Sequence, residues 1–292
     1  MHLEQILTKK YKKLLLIPII ILLASLFILG SQNAKYGYFI DKDISLKGGV
    51  TSTVYSENID ISDIESQFQE QFPNSDISIR ELASITNSEK TGILIEASDL
   101  TAEEIRPFLL DNFNSNEFSL EEVGPALGQT FFRELMFALA FALVLMGIVV
   151  FITFRKLIPS LAVIFSAILD LVATLAIISL LGIKISSAGI AAFLMVIGYS
   201  IDTDILLTTK VLRNKFGTLY ERIKSAFKTG ITMTTTTFIA LLIAFIFTNS
   251  ATLKQMFGII LIALIIDFVS TWIMNTSLLV WYVKKNENKE ST

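Results

Sequence analysis

The apolar residues of this chain gather into six long blocks rather than spreading at helical or alternating spacing, and each block is about as long as a bilayer is thick. They cover residues 14–29, 135–154, 158–181, 187–208, 231–247 and 256–283. Between the first and second lies a polar stretch of about a hundred residues whose pattern alternates between strand-like and helix-like segments. Strand-like runs cover 49–55, 77–82, 92–97 and 118–123, and two capping boxes, Ser62-Asp63-Ile64-Glu65 and Thr101-Ala102-Glu103-Glu104, predict helix starts between them. The order β-α-β-β-α-β is that of a ferredoxin-like module. The pattern predicts a mainly α-helical membrane protein: six transmembrane helices with one external ferredoxin-like α+β domain between helices 1 and 2. Its parts are a cytoplasmic N-terminus with the first helix (1–30), the external domain (31–130), helices 2–6 (131–283) and a cytoplasmic tail (284–292).

The first block follows Lys9, Lys10, Lys12 and Lys13, as a signal peptide would. Its length with flanks and the poor cleavage sequence Gly30-Ser31-Gln32-Asn33-Ala34 favour an uncleaved anchor. Orientation follows from the basic residues of the short loops. An inside N-terminus places fifteen lysines and arginines in the cytoplasm, among them Arg155, Lys156, Lys210, Arg213, Lys215, Lys284 and Lys285, and leaves only Lys184 and Lys254 in the opposite loops. Both termini are then cytoplasmic and residues 31–130 external, with eighteen acidic against six basic side chains.

Composition narrows the chemistry. With 52% hydrophobic and 17% charged residues in 292, the chain is no soluble enzyme, and a net charge of −3 offers no nucleic-acid surface. There is no cysteine and a single histidine, His2, so disulfides, Cys-ligated zinc, Ser-His-Asp and HExxH chemistry all lack their parts. No phosphate-binding loop is present, and no metal or cofactor is expected. Any work done must draw on an ion gradient or a partner.

The informative residues are acids in the apolar blocks, since an ionised carboxylate at the bilayer centre costs about 3 kcal/mol on insertion scales. Asp170, Asp202, Asp204 and Asp267 are such acids. Asp202 and Asp204 follow Gly198-Tyr199-Ser200-Ile201 and point about 200° apart on a helix, so one pocket cannot take both from that helix alone. Ser200 lies one turn before Asp204, and Gly198 leaves room for a neighbouring backbone. The next block opens on Lys228 and carries Thr232, Thr234, Thr235, Thr236 and Thr237. Lys228, Thr232 and Thr235 form an i, i+4, i+7 stripe; facing Asp202, it would set a cation and a line of hydroxyls beside a buried acid, the parts of a proton path. Interhelical packing by threonines and a snorkelling Lys228 are the plainer alternatives.

Four segments resemble the SecF family, the smaller partners in the SecD and SecF pair of protein-export membrane proteins, within the resistance-nodulation-division superfamily. They are Leu46-Lys47-Gly48-Gly49, then Glu122-Val123-Gly124-Pro125-Ala126-Leu127-Gly128, then Ile197-Gly198-Tyr199-Ser200-Ile201-Asp202, and Lys228-Thr229 with its threonine run. The resemblance covers nearly the whole chain. It implies a six-span subunit in the lipid of the cell membrane that pairs with SecD beside the Sec translocation channel and, with proton flow, helps a preprotein finish crossing. It also implies proton passage by acids of the fourth span and a cation in the fifth, and structural roles for the motif residues Gly48, Gly49, Gly124, Pro125, Gly198, Tyr199 and Ser200. Together with the intramembrane acids and hydroxyls above, it makes the expected proton path Asp202 first, then Asp204, Lys228 and Thr232, with Asp170 as a further acid.

The chain departs from the bacterial pattern at three places. Threonine stands at position 203, where the bacterial acid falls, with Asp202 and Asp204 flanking it; Lys228 replaces an arginine; and Ser45 replaces an aspartate. These departures suggest an archaeal version. Two other readings fit the same sequence: half of a small-molecule or ion exporter of the same superfamily, and a scaffold of the channel that passes no ions.

Overall fold

The computed structural model describes residues 11–55, 60–73, 75, 77–83, 90–98, 100–114, 117–213, 216–248 and 250–290. His2, Lys9, Lys10 and Lys215 lie outside the described residues. Six helices are long and apolar enough to cross a membrane: span 1 (Tyr11–Tyr36), span 2 (Pro125–Phe154), span 3 (Leu157–Leu180), span 4 (Ser187–Leu212), span 5 (Leu219–Phe247) and span 6, which begins at Ala251. Spans 3, 4 and 6 form the interior of the bundle; spans 1, 2 and 5 turn most of their length outward.

Several helices outrun their apolar blocks. Span 2 starts ten residues before the apolar run, because Pro125 at its first turn needs no amide partner and Gln129, Arg133 and Glu134 continue the helix as readily as apolar residues would. The sequence boundary at 130/131 therefore falls inside a helix. Span 5 starts at a capping box, where Thr218 donates its backbone N–H to Glu221 Oε2 at 2.8 Å. Span 6 is interrupted: Ala251–Val269 is α-helical, Ser270–Asn275 winds as a π turn, and Thr276–Glu290 resumes the α-helix.

Between spans 1 and 2 lie a short helix α1 (Ile44–Lys47) and the elements β1 (Gly49–Val54), α2 (Ile61–Gln71), β2 (Ile77–Ala83), β3 (Lys90–Ser98), α3 (Ala102–Asn112) and β4 (Phe118–Val123). The strands form one antiparallel sheet in the order β2-β3-β1-β4, so β1 lies between β3 and β4, as the ferredoxin-like arrangement requires. β1 pairs Gly49 with Ser98 on one side and with Val123 on the other. The module's core joins Val50, Val54, Ile93 and Ile95 of the sheet to Phe68 and Phe108 of the helices. Phe68 is fully buried, its ring 4.9 Å from Phe72 and 5.1 Å edge-on from Phe108.

The second capping box forms as expected: Glu104 accepts from the Thr101 backbone N–H at 2.8 Å and from its hydroxyl at 2.9 Å. These bonds favour the charged carboxylate and hold Glu104 below the usual glutamate range. The first helix start is corrected. Asp60 caps α2, accepting from Ser62 N at 3.0 Å, so the helix begins ahead of the expected Ser62 box.

The module is fastened to the bundle at its base. Asp43 N–H donates to the Ile185 carbonyl at 2.9 Å, and Ile185 N–H donates to the Asp41 carbonyl at 2.7 Å. Ser187 N–H, at the start of span 4, donates to Ser45 Oγ at 3.1 Å. From span 6, Gln255 bonds the Ser186 hydroxyl and the Lys184 carbonyl. Leu46 is completely buried among Ile178, Ile185, Ile190 and Phe193 of the bundle, and Lys42 Nζ stands 3.7 Å over the Phe132 ring of span 2. The glycines of the two motifs make this seat fit. A Cβ on Gly128 would lie 2.8 Å from Gly48 N, and one on Gly49 2.3 Å from the Ala97 carbonyl oxygen.

Candidate functional site

The interior of the bundle holds a network of three carboxyls. Asp170 comes from the middle of span 3, Asp204 from span 4 and Asp267 from span 6, with relative exposures of 1%, 0% and 2%. Such groups stay inside an apolar bundle only where hydrogen bonds replace water. Asp170 has two donors: Ser200 Oγ at 2.7 Å on Oδ2 and Ser270 Oγ at 2.6 Å on Oδ1. Asp267 has Thr203 Oγ1 at 3.2 Å and Thr271 Oγ1 at 3.3 Å. Asp204 Oδ1 takes Thr271 Oγ1 at 2.9 Å and Asn275 Nδ2 at 2.7 Å.

Thr271 is the joint of this network. Its one hydroxyl lies between Asp204 and Asp267 but has one proton to donate, so it serves one carboxyl at a time and can accept from the other. A network of hydroxyls that both donate and accept, strung between acids, has the chemistry to hand a proton along.

Further buried oxygens extend it. Asp204 Oδ2, Asn275 Oδ1, Thr174 Oγ1 and Thr208 Oγ1 have no hydrogen-bond partner among the described residues. Thr174 lies one turn beyond Asp170 toward the module, and Thr208 one turn beyond Asp204 toward the opposite face. No group of three or more acidic, histidine or cysteine side chains among the described residues is arranged to hold a metal ion.

The structure divides the sequence candidates. Asp170, Asp204 and Ser200 meet in the network, although Ser200 donates to Asp170 and not to Asp204 one turn ahead. Tyr199 is half-buried against the bundle core. Asp202 does not join them: it is exposed on the outer face of span 4, with Gly198, whose Cβ position has nothing within 4 Å, one turn away. Lys228, Thr232 and Thr235 also face outward, so the expected stripe does not front the buried acids. The Thr232 hydroxyl turns back to the Lys228 carbonyl at 2.9 Å. The helix carrying these residues touches the interior through Gly230 and its neighbours, which directs Lys228 to the far side.

Asp267 was visible in the sequence as an intramembrane acid but had no motif to rank it. The usable signal was Asp267, Thr271 and Asn275 at i, i+4 and i+8, a polar stripe that follows the unbroken apolar run 256–266.

Comparison with known proteins agrees with the fold. The family described as "Protein export membrane protein SecD/SecF, C-terminal" matches residues 108–285. The protein-export membrane protein SecF of Methanocaldococcus jannaschii is 36% identical, over 97% of this chain and 99% of its own. That of Pyrococcus furiosus is 33% identical, over 96% and 93%. The crystal structure of SecDF from Thermus thermophilus, titled a translocon-associated membrane protein, superposes with a TM-score of 0.74 at 18% identity, covering 94% of this chain. A SecDF structure titled as the super-membrane-facing form gives 0.61 at 23%. This chain spans 38% of the length of each solved protein.

Proposed function

Because this chain belongs to the SecD/SecF family of protein-export membrane proteins, we propose that it is an auxiliary subunit of Sec-dependent export that works with a SecD partner at the translocation channel. The lysines and arginines of the short loops support a module outside the cell membrane and termini inside. In this reading a proton gradient drives late preprotein translocation through the Asp170–Asp204–Asp267 network. The observation that carries it is the Thr271 hydroxyl set between Asp204 and Asp267 in the middle of the bundle. Thr174 on the module side and Thr208 on the opposite side extend the network toward both faces, and their partnerless oxygens are where water would complete a path. The module translates what happens there, since Leu46 and the Ile185 bridge tie it to spans 3 and 4.

The outward-facing polar residues support a membrane partner. Asp202 lies fifteen residues into span 4, about 22 Å from its start and within hydrocarbon depth. An acid there needs a partner chain, and the open surface at Gly198 admits a helix at close range. A groove of about 360 Å³ between spans 5 and 6, lined by Thr234, Thr235, Phe238 and Phe268, offers a second contact. SecD is the occupant this reading assigns to that surface.

The test uses the absence of native cysteine. Gly198→Cys, paired with single cysteines along SecD's membrane helices, should crosslink in membranes, and the same vesicles should export a secreted reporter faster with a proton gradient. No crosslink to any SecD helix would remove the partner surface, and gradient-independent export would remove the proton drive.

A further inference from the structure

The π turn of span 6 sits where the carboxyl network meets span 5. The backbone N–H of Thr276 bonds the Thr271 carbonyl five residues back, as an extra residue in the helix requires, and the Thr276 hydroxyl bonds the same carbonyl at 3.2 Å. Of this turn, Ser270 supplies one of the two donors to Asp170, and Thr271 and Asn275 supply those to Asp204. Between them Trp272 points the other way. Its ring lies 4.9 Å edge-on from Phe227 and against Gly230, where a Cβ would stand 2.3 Å from Trp272 Cζ2. One six-residue turn thus binds the acids of spans 3 and 4 on one face and fills a seat on span 5 with the other.

The register of this turn depends on those bonds. Changing the π turn to α would rotate the half of span 6 beyond it by about 100° and advance it about 1.5 Å relative to the first half. Ser270 could then not keep Asp170 while Asn275 keeps Asp204. The two carboxyls together therefore select the π register, and a carboxyl that takes a proton gives up an acceptor and becomes a donor. The present arrangement is also incompletely satisfied: Trp272 Nε1 and Asn275 Oδ1 are buried without a hydrogen-bond partner among the described residues. Beyond the turn, Leu279 and Val280 pack with Leu207 and Val211 of span 4 and Ile223 and Ala226 of span 5, so a rotation there displaces both helices.

We propose that the Ser270–Asn275 turn is the coupling element of the bundle: Trp272 is a positioning residue that shifts span 5 through Gly230 and Phe227 when the hydrogen bonds to Asp170 and Asp204 rearrange. The ionisable groups facing the turn are Asp170 of span 3, Asp204 of span 4 and Asp267 of span 6 itself. Span 1 has none at that depth, and Lys228, next to Phe227 on span 5, is exposed on the outside. This inference rests on the proton-coupled reading above.

The chain has two tryptophans, so Trp281→Phe leaves Trp272 as the sole indole reporter. The test records emission of this variant in proteoliposomes with a tryptophan-free SecD under an imposed proton gradient, and reporter export by the same variant in membrane vesicles that carry the translocation channel. The expected result is a shift of emission to longer wavelength as the ring leaves its apolar seat, lost when Asp204→Asn is added. Gly230→Ala, which must displace the ring, should show the longer wavelength before any gradient and reduce export to its gradient-independent level. Emission that stays constant under a gradient that does accelerate export would overturn the coupling role and leave the proposed function standing. So would a shift that persists in Asp204→Asn. Where the gradient accelerates no export, the proposed function fails, and the emission still decides for the turn: a shift retains it and constancy overturns it.

Discussion

Gly48, at the foot of the module, lies against Pro125, the first residue of span 2: a Cβ on Gly48 would sit 2.4 Å from Pro125 Cα. Gly48 also has φ +88° and ψ 157°, a region that side chains rarely adopt. Two segments 77 residues apart in sequence thus meet at one backbone contact, where the module leaves and re-enters the bundle.

Gly48→Ala should therefore fail on two counts, clash and backbone strain. Strain alone is worth about 1–3 kcal/mol. The expected outcome is a lower melting midpoint in detergent and faster proteolysis at the module's base, while the membrane helices still insert. An unchanged midpoint would mean the contact relaxes freely.

Phe68→Ala should remove most of the module's independent stability. Its ring joins α2 to α3 through Phe72 and Phe108, and emptying such a site costs about 3–5 kcal/mol. Limited proteolysis should then cut within 49–123 and spare the spans. Resistance equal to wild type would contradict the core described.

The start of α3 should loosen in acid. Glu104 is held below its ordinary range by its bonds to Thr101, so its support is complete above the unfolded glutamate value and is lost as pH falls through the lowered folded one. Amide exchange at residues 102–105 should quicken over that window, and Glu104→Gln should abolish the pH dependence. A pH-dependent change that survives in the variant would assign it to another group.

Much of the architecture was legible from residue pattern because bilayer thickness and the two-residue strand period leave few alternatives. The apolar blocks gave six spans, and the β-α-β-β-α-β order led to the observed sheet. The helix ends were less legible: Pro125 starts a helix that hydropathy placed later, and Asp60 caps one that the Ser62 box placed later. The site was legible in part. Helical geometry separates Asp202 from Asp204, but only packing decides that Asp204 turns inward and Asp202 outward. Asp267 is linked to Asp204 through Thr271 of the π turn, which no residue in Ser270–Asn275 announces, since its register is set by acids on two other helices.

The central claim, that a proton gradient acts through the buried network, is tested most directly at Asp204. Reporter export would be measured in inverted membrane vesicles carrying this chain and SecD, with and without the gradient, for wild type, Asp204→Asn and Asp204→Glu. Asparagine keeps the shape and a donor but cannot carry the proton, so export in Asp204→Asn should proceed at the gradient-independent rate, with partial recovery in Asp204→Glu. Export by Asp204→Asn that still accelerates with the gradient as wild type does would contradict the account and leave the three carboxyls as interhelical bonding alone.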